Sequence, residues 1–425
     1  MNCGSLVAAL LVFGGVSSAQ TLDVLYGFTG GSDGSTLYGG LAVGAAGTLY
    51  GTTFGDYFGT GGLGTVFSLV PPASPGGAWT KNAILYFDGT DGCYPEAGVV
   101  IGSGGVLYGT THNCGGSDSD FGAAYSLTPP ASPGGAWTPA LLYWFGQTSN
   151  ASFEPMAPLV IGPGGVLYGT LSTSKLNDGA VFQLTPPASP GGAWGERTLW
   201  NFTIAPGNGT SVSGGVVIGA NGTLYGTTES GGTGGWGTVY SLAGPASQGE
   251  AWTETTLFNF GLGDPNGSRP YSTVAIGSNG DLYGTTYLGG DTTGCGNYGC
   301  GTVFSLTPPA SAGGAWAENV LYAFPASGGE GASPYAGVVI GKNGTLYGTS
   351  GGGAGGCGTI FSLTPPSSQG GAWTHAILHT FNVNGAADGC GPQAPLVFGA
   401  NGTLYGTTVS GGPGGAGTVF SLTLP

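Results

Sequence analysis

Four acidic residues occupy one slot of a repeating frame. Asp33, Asp91, Glu330 and Asp388 each stand sixteen residues before a leucine that opens the tetrapeptide Leu-Tyr-Gly-Thr. Gathered near the mouth of a central tunnel, such carboxylates could hold a cation such as calcium, whose ligands are oxygens. Taken in pairs they could supply the two carboxyl groups of a glycosidase. Asn208 and Asn266 fill the same slot and Ala151 breaks it, which weakens the metal reading. Asp-Gly, Glu-Gly and Asn-Gly pairs at this slot are also turn formers. The turn is the simpler reading, and no cofactor or metal is expected.

Aromatic residues form the second group. Tyr57, Phe58, Trp236, Tyr287 and Tyr298 fall in segments whose length differs between copies of the repeat. Loop aromatics of this kind stack on sugar rings or pack within their own loop. The candidate ligand-binding set is therefore Asp33, Asp91, Glu330, Asp388, Tyr57, Trp236 and Tyr298. His375 and His379 lie four apart on one expected strand and should face the same side. His112 is the only histidine on the irregular face, so no Ser-His-Asp set emerges.

These residues hang on a frame written seven times. Leu-Tyr-Gly-Thr begins at Leu49, Leu107, Leu167, Leu224, Leu282, Leu346 and Leu404. Each unit holds several short β-patterned runs, which at this period predicts a β-propeller. The fifth unit shows the strands: Val274-Ala-Ile276, Leu282-Tyr-Gly-Thr-Thr286, Gly301-Thr-Val-Phe-Ser-Leu306 and Val320-Leu-Tyr-Ala-Phe324. Asn-Gly or Gly-Gly between strands a and b matches a primed hairpin turn. The expected architecture is all-β, seven four-stranded antiparallel blades over approximately 39–87, 97–145, 157–202, 214–260, 272–324, 335–381 and 395–424. The last blade ends at its strand c, while Val24-Leu-Tyr-Gly-Phe28 is a strand d with no blade before it. Residues 22–29 should complete the seventh blade and close the ring, removing exposed sheet edges.

Length varies only in the b–c and d–a loops, which emerge on one face of an up-and-down blade. Function is expected on that irregular face, because binding residues concentrate on variable loops held by a rigid scaffold. The seven Leu-Tyr-Gly-Thr tyrosines and the six repeat tryptophans read as packing between blades. The glycine after each tyrosine should leave room for a neighbouring ring. Cys93, Cys114, Cys295, Cys300, Cys357 and Cys390 all fall in the irregular loops. An even number in a secreted chain argues for disulfides over a metal. Neighbouring positions in the blades favour Cys93 with Cys114, Cys295 with Cys300, and Cys357 with Cys390.

Composition narrows the partners. The chain has 94 glycines and 28 prolines among 425 residues, but at fixed repeat positions, so it is turn-rich and folded. Net charge is −15 with only five Lys or Arg, which argues against nucleic acid and anionic membrane as partners. Residues 1–19 read as a secretory leader, leaving 20–425 as one propeller without a membrane span, expected to be secreted or at the cell surface and monomeric.

The unit Gly-Val-Val-Ile-Gly-x-Asn-Gly-Thr-Leu-Tyr-Gly-Thr-Thr, a glycine-rich loop and Gly-Thr-Val-Phe-Ser-Leu resemble the Gloeo-Verruco (GloVer) tandem repeat over about 24–424. The resemblance implies a bacterial extracellular β-propeller-like protein of unassigned activity, often of the choice-of-anchor kind. This chain ends at Pro425 without a hydrophobic tail or basic cluster, so free secretion is expected. The resemblance supplies no catalytic residues. The leading expectation is a non-enzymatic binding or surface-interaction module for a glycan or an extracellular protein. The alternative is a glycan-active hydrolase or lyase using carboxylates on the irregular face. The apolar a strands argue against it.

Overall fold

The computed structural model describes residues 20–424 except 56–61, 115–120, 133, 147–151, 175–177, 190, 206, 246–249, 264, 292–294, 296–297, 312, 326–330, 353–355, 369 and 383–386. The leader at 1–19, Tyr57, Phe58, Ala151 and Glu330 lie outside the described residues. Seven four-stranded antiparallel sheets form the blades of a β-propeller. In blade 5, strand a is Ala275–Ile276, b is Leu282–Thr286, c is Thr302–Thr307 and d is Ala317–Ala323. The b strands of blades 1 to 4, 6 and 7 are Leu49–Thr53, Leu107–Thr111, Leu167–Leu171, Leu224–Thr228, Leu346–Ser350 and Leu404–Thr408.

Local chemistry explains the hairpins. In the a–b turn of blade 4, Asn221 (φ 60°) and Gly222 (φ 75°) are both left-handed, and Asn343 and Gly344 repeat this in blade 6. That is the primed turn whose twist matches the flanking strands. Blades 5 and 7 differ, with only Gly280 and Gly402 left-handed there. The glycine after each strand-b tyrosine lies opposite the aromatic of strand c, as Gly51 does opposite Phe67. A Cβ on Gly51 would sit 2.6 Å from the Phe67 ring.

The ring closes through the N-terminal strand. Thr21–Gly27 pairs antiparallel with Thr418–Thr423 as the outer strand of blade 7. Phe28 then donates its N–H to the Gly417 carbonyl at 2.9 Å and is fully buried. Its ring meets Phe67 of blade 1 edge-on at 5.1 Å. Burial of a phenylalanine stabilises by about 1.5–3 kcal/mol, and here it joins the first blade to the last.

Every d strand carries a β-bulge, which places one extra residue against strand c and reverses the side-chain alternation beyond it. This corrects the expectation for His375 and His379. His375 lies opposite Leu363 and His379 opposite Ile360, so the two rings face opposite sides of the sheet. His375 stacks on Tyr322 of blade 5 at 4.1 Å, whereas His379 Nε2 meets Asp388 Oδ2 at 2.8 Å.

Neighbouring blades are joined by the second-to-last threonine of strand b. Thr52, Thr170, Thr227, Thr285 and Thr407 donate their hydroxyls to Ala97, Gly214, Ser272, Ala336 and Gly39 carbonyls of the next blade. Thr110 and Thr349 have buried hydroxyls with no partner among the described residues. Their acceptors would be Ala157 and Ala394, each followed by proline, Pro158 and Pro395. Proline restricts the backbone of the residue before it, and these are the two junctions where the acceptor position precedes one.

Candidate functional site

The three described acids of the shared slot follow the turn reading rather than the ring. Asp33 lies in a turn, where its Oδ1 accepts from Tyr26 Oη (2.9 Å) and Lys81 Nζ (3.0 Å). Burial works to raise its carboxyl, but the Thr29 N–H, Lys81 and Tyr26 outweigh it and hold it below the ordinary carboxylate range. Asp388 is buried against His379 and Asn382. Asp91 precedes Gly92, which is left-handed (φ 104°) and where an added Cβ would collide with the Thr111 hydroxyl. Neither channel cavity is lined by Asp33, Asp91 or Asp388. These residues fold the d–a turns.

Three other positions per blade build the mouth. The first follows strand b directly: Phe54, His112, Ser172, Glu229, Tyr287, Gly351 and Val409. The backbone N–H of each donates to a residue of the d–a loop that leads into its own blade, as Phe54 to Thr36, His112 to Tyr94, Ser172 to Glu154 and Tyr287 to Arg269 at 2.9–3.1 Å. Those acceptors form the second position, and all are left-handed: Thr36, Tyr94, Glu154, Ser211, Arg269 and Ser333 have φ of 49–62°, and Gly391 φ 71°. Six non-glycine residues in this conformation carry local strain that the surrounding bonds must sustain. Two residues further on comes the third position: Tyr38, Tyr271 and Tyr335, with Glu96, Met156, Ser213 and Gln393 between them. All of these line both a mouth cavity of about 540 Å³ and a throat of about 390 Å³ beneath it.

The backbone is nearly the same seven times, but the side chains are not. On one side Tyr271, Tyr287 and Tyr335 pack with ring centroids 4.6–5.6 Å apart. On the other, Phe54 touches Tyr38 at 5.4 Å and Tyr94 at 5.3 Å. Between them lie three glutamates. Glu229 accepts from Tyr271 Oη (2.9 Å) and Ser213 Oγ (3.3 Å), and pairs with Arg269 at 3.4 Å. Burial first, then the charge of Glu154, pushes the Glu96 carboxyl up to about 7. His112 Nε2 lies 3.9 Å from Glu154; burial lowers its pKa against the pull of Glu154 and Asn113. Tyr335 is raised by burial and by its hydrogen bond with Tyr287.

The Gloeobacter/Verrucomicrobia repeat matches residues 11–208, 191–369 and 290–425. The chain belongs to this repeat family. No curated protein matches it. Among solved structures this repeat protein is similar to Chaetomium thermophilum Sqt1 bound to the N-terminus of ribosomal protein L10, at 14% identity over 89% of this chain and 84% of that one, TM-score 0.49. A luciferin-regenerating enzyme is similar at 12% identity over 96% of both chains, TM-score 0.44. A glucose dehydrogenase is similar at 13% identity over 95% of this chain and 100% of that one, TM-score 0.42. Likenesses this distant carry no argument about chemistry.

Three disulfides brace the irregular face of the repeat protein: Cys93–Cys114, Cys295–Cys300 and Cys357–Cys390, the pairs that the blade positions favour. Cys93 adjoins Tyr94, and Cys390 adjoins Gly391, so two of them sit directly behind mouth positions. Among the described residues no three His, Cys, Asp or Glu side chains gather as metal ligands. No described helix is long and apolar enough to cross a membrane. Of the expected ligand set, Trp236 and Tyr298 come together, 6.4 Å apart, at the rim beside Arg269. Reading the sequence for acids near glycine missed Glu96, Glu154 and Glu229. Their signal was there: these are slots that change from copy to copy inside a frame of fixed spacing.

Proposed function

We propose that this repeat protein is an extracellular binding module whose ligand, a glycan, seats in the channel mouth. The observation behind this is one backbone frame repeated seven times with a different side-chain set at each copy, enclosing about 540 Å³. Small-molecule sites fall at about 300–1,000 Å³ and combine aromatic walls with a few convergent polar groups. A sugar ring offers an apolar face to tyrosine and hydroxyl donors to carboxylates. Three glutamates and a net charge of −15 favour neutral or amino sugars over uronic acids. Three disulfides fit an oxidising compartment. A glycan array with isothermal titration tests the reading: neutral glycans should bind, and Tyr271→Ala with Tyr335→Ala should abolish binding. Binding that survives both changes would refute it.

One observation favours a hydrolase or lyase as the second reading. Burial and the charge of Glu154 let Glu96 keep its proton to about pH 7, and a carboxyl held protonated there can act as a general acid. Incubating the bound polysaccharides and assaying for reducing ends separates the two. Turnover lost in Glu96→Gln supports the enzyme, and binding without turnover supports the module.

A further inference from the structure

The b–c loops of blades 4 and 7 are an internal control. Residues 229–237 and 409–417 have equal length and share two turn hydrogen bonds: Gly237 N–H to Gly231 O (3.1 Å) matches Gly417 to Gly411 (3.0 Å), and Gly235 to Gly232 (3.2 Å) matches Gly415 to Gly412 (3.0 Å). The following blade docks alike, with Arg269 N–H on Trp236 O (2.9 Å) and Thr36 N–H on Ala416 O (3.1 Å). Two bonds are particular to one loop, Gly232 N–H to Asn208 O (2.6 Å) in blade 4 and Gly411 N–H to Gly415 O (3.1 Å) in blade 7, and the side chains differ at the junction itself. Blade 7 and its neighbour manage this junction with Val409, Ala416 and Thr36, where blade 4 and its neighbour carry Glu229, Trp236 and Arg269. The loop therefore does not require those three side chains in order to fold.

They nonetheless form one connected group. Arg269 pairs with Glu229 at 3.4 Å and lies over the Trp236 ring, 5.1 Å from its centroid. The indole neighbours Tyr298, a tyrosine 52% exposed at the surface. Glu229 also lines the mouth, so contacts run unbroken from the mouth to the rim. We infer that Trp236 and Tyr298 form a stacking subsite for a further sugar ring outside the mouth, and that the ligand is an oligosaccharide. Arg269 is the positioning residue: it holds the indole by a cation–π contact and ties it to the carboxylate of the mouth. This inference rests on the glycan reading above.

The test is isothermal titration with cello-, chito- and manno-oligosaccharides of one to six units. For wild type, affinity should rise about tenfold between one unit and three, the scale of one good stacking contact. Tyr298→Ala and Trp236→Ala should remove that gain and leave monosaccharide affinity in place; Tyr298→Phe should keep it. Trp236→Ala should remain folded by circular dichroism, because Ala416 already occupies the same frame. Equal affinity for one and six units, or a gain that persists in Tyr298→Ala, overturns the subsite while the mouth stands. No binding of any length overturns both.

Discussion

The ring of Phe398 meets that of Tyr347 at 5.6 Å, nearly perpendicular, and substitutes for a tryptophan. The other six strand-b tyrosines each stack edge-on against a tryptophan of the following blade, as Tyr50 does on Trp137 and Tyr405 on Trp79. Blade 7 takes its outer strand from the N-terminal segment, which brings no tryptophan. The corresponding strand-a residue is isoleucine or valine elsewhere and phenylalanine only here, as Ile101 and Ile340 show.

Phe398→Ile should therefore destabilise the protein by about 1–2 kcal/mol, through the lost aromatic pair and the space left behind. Urea unfolding followed by tyrosine and tryptophan fluorescence measures it. An unchanged midpoint would mean that Tyr347 does not depend on the substitute.

The inter-blade threonines give a matched pair. Thr52 Oγ1 donates to Ala97 O at 2.9 Å, whereas the Thr110 hydroxyl is buried without a partner among the described residues. Thr52→Val should cost about 1 kcal/mol by orphaning the carbonyl. Thr110→Val should be neutral or stabilising, since it removes an unmatched polar group. Equal losses at both sites in thermal or urea unfolding would contradict this account.

Glu96 should leave a mark on stability against pH. Its folded pKa of about 7 exceeds the ordinary value of 4.5 because of burial and then Glu154, so the folded state holds the proton longer. The stabilisation is complete below pH 4.5 and is lost as pH rises through 7, by about 3 kcal/mol in all. His112, whose pKa is lowered by burial, acts in the opposite sense below its unfolded value. Comparing wild type with Glu96→Gln between pH 5 and 8 isolates the carboxyl. The difference between the two should shift by about 2.5 kcal/mol over that range, with wild type losing ground toward alkaline pH.

Removing the Cys93–Cys114 bridge, which spans 21 residues, should lower stability by about 3 kcal/mol. Tyr94 and His112 lie beside its two ends, so the double serine variant should also weaken ligand binding at the mouth. Calorimetry and titration on the same sample would show both effects. A stability loss with binding intact would mean that the bridge does not hold the mouth.

Period and alternation determined the blades, because one frame repeated every 57–64 residues with strict hydrophobic patterning has few ways to bury its faces. The closing strand was also legible, since Val24 to Phe28 has the pattern of a strand d standing alone. So were the disulfide pairs, through the blades that their loops join. The bulge in every d strand was not legible: one residue inserted opposite strand c leaves the alternation looking regular, yet it turns His379 away from His375.

The mouth was decided by tertiary structure. Asp33, Asp91 and Asp388 are turn acids whose position in the frame suggested a ring, but none of them lines the channel cavities, and Asp33 and Asp388 are held by Lys81 and His379. Glu96, Glu154 and Glu229 lie in three different slots of the repeat, and nothing along the chain marks them as neighbours. Only the closure of the blades around one axis brings those slots together. The left-handed residue in each d–a loop then fixes where each side chain enters the channel.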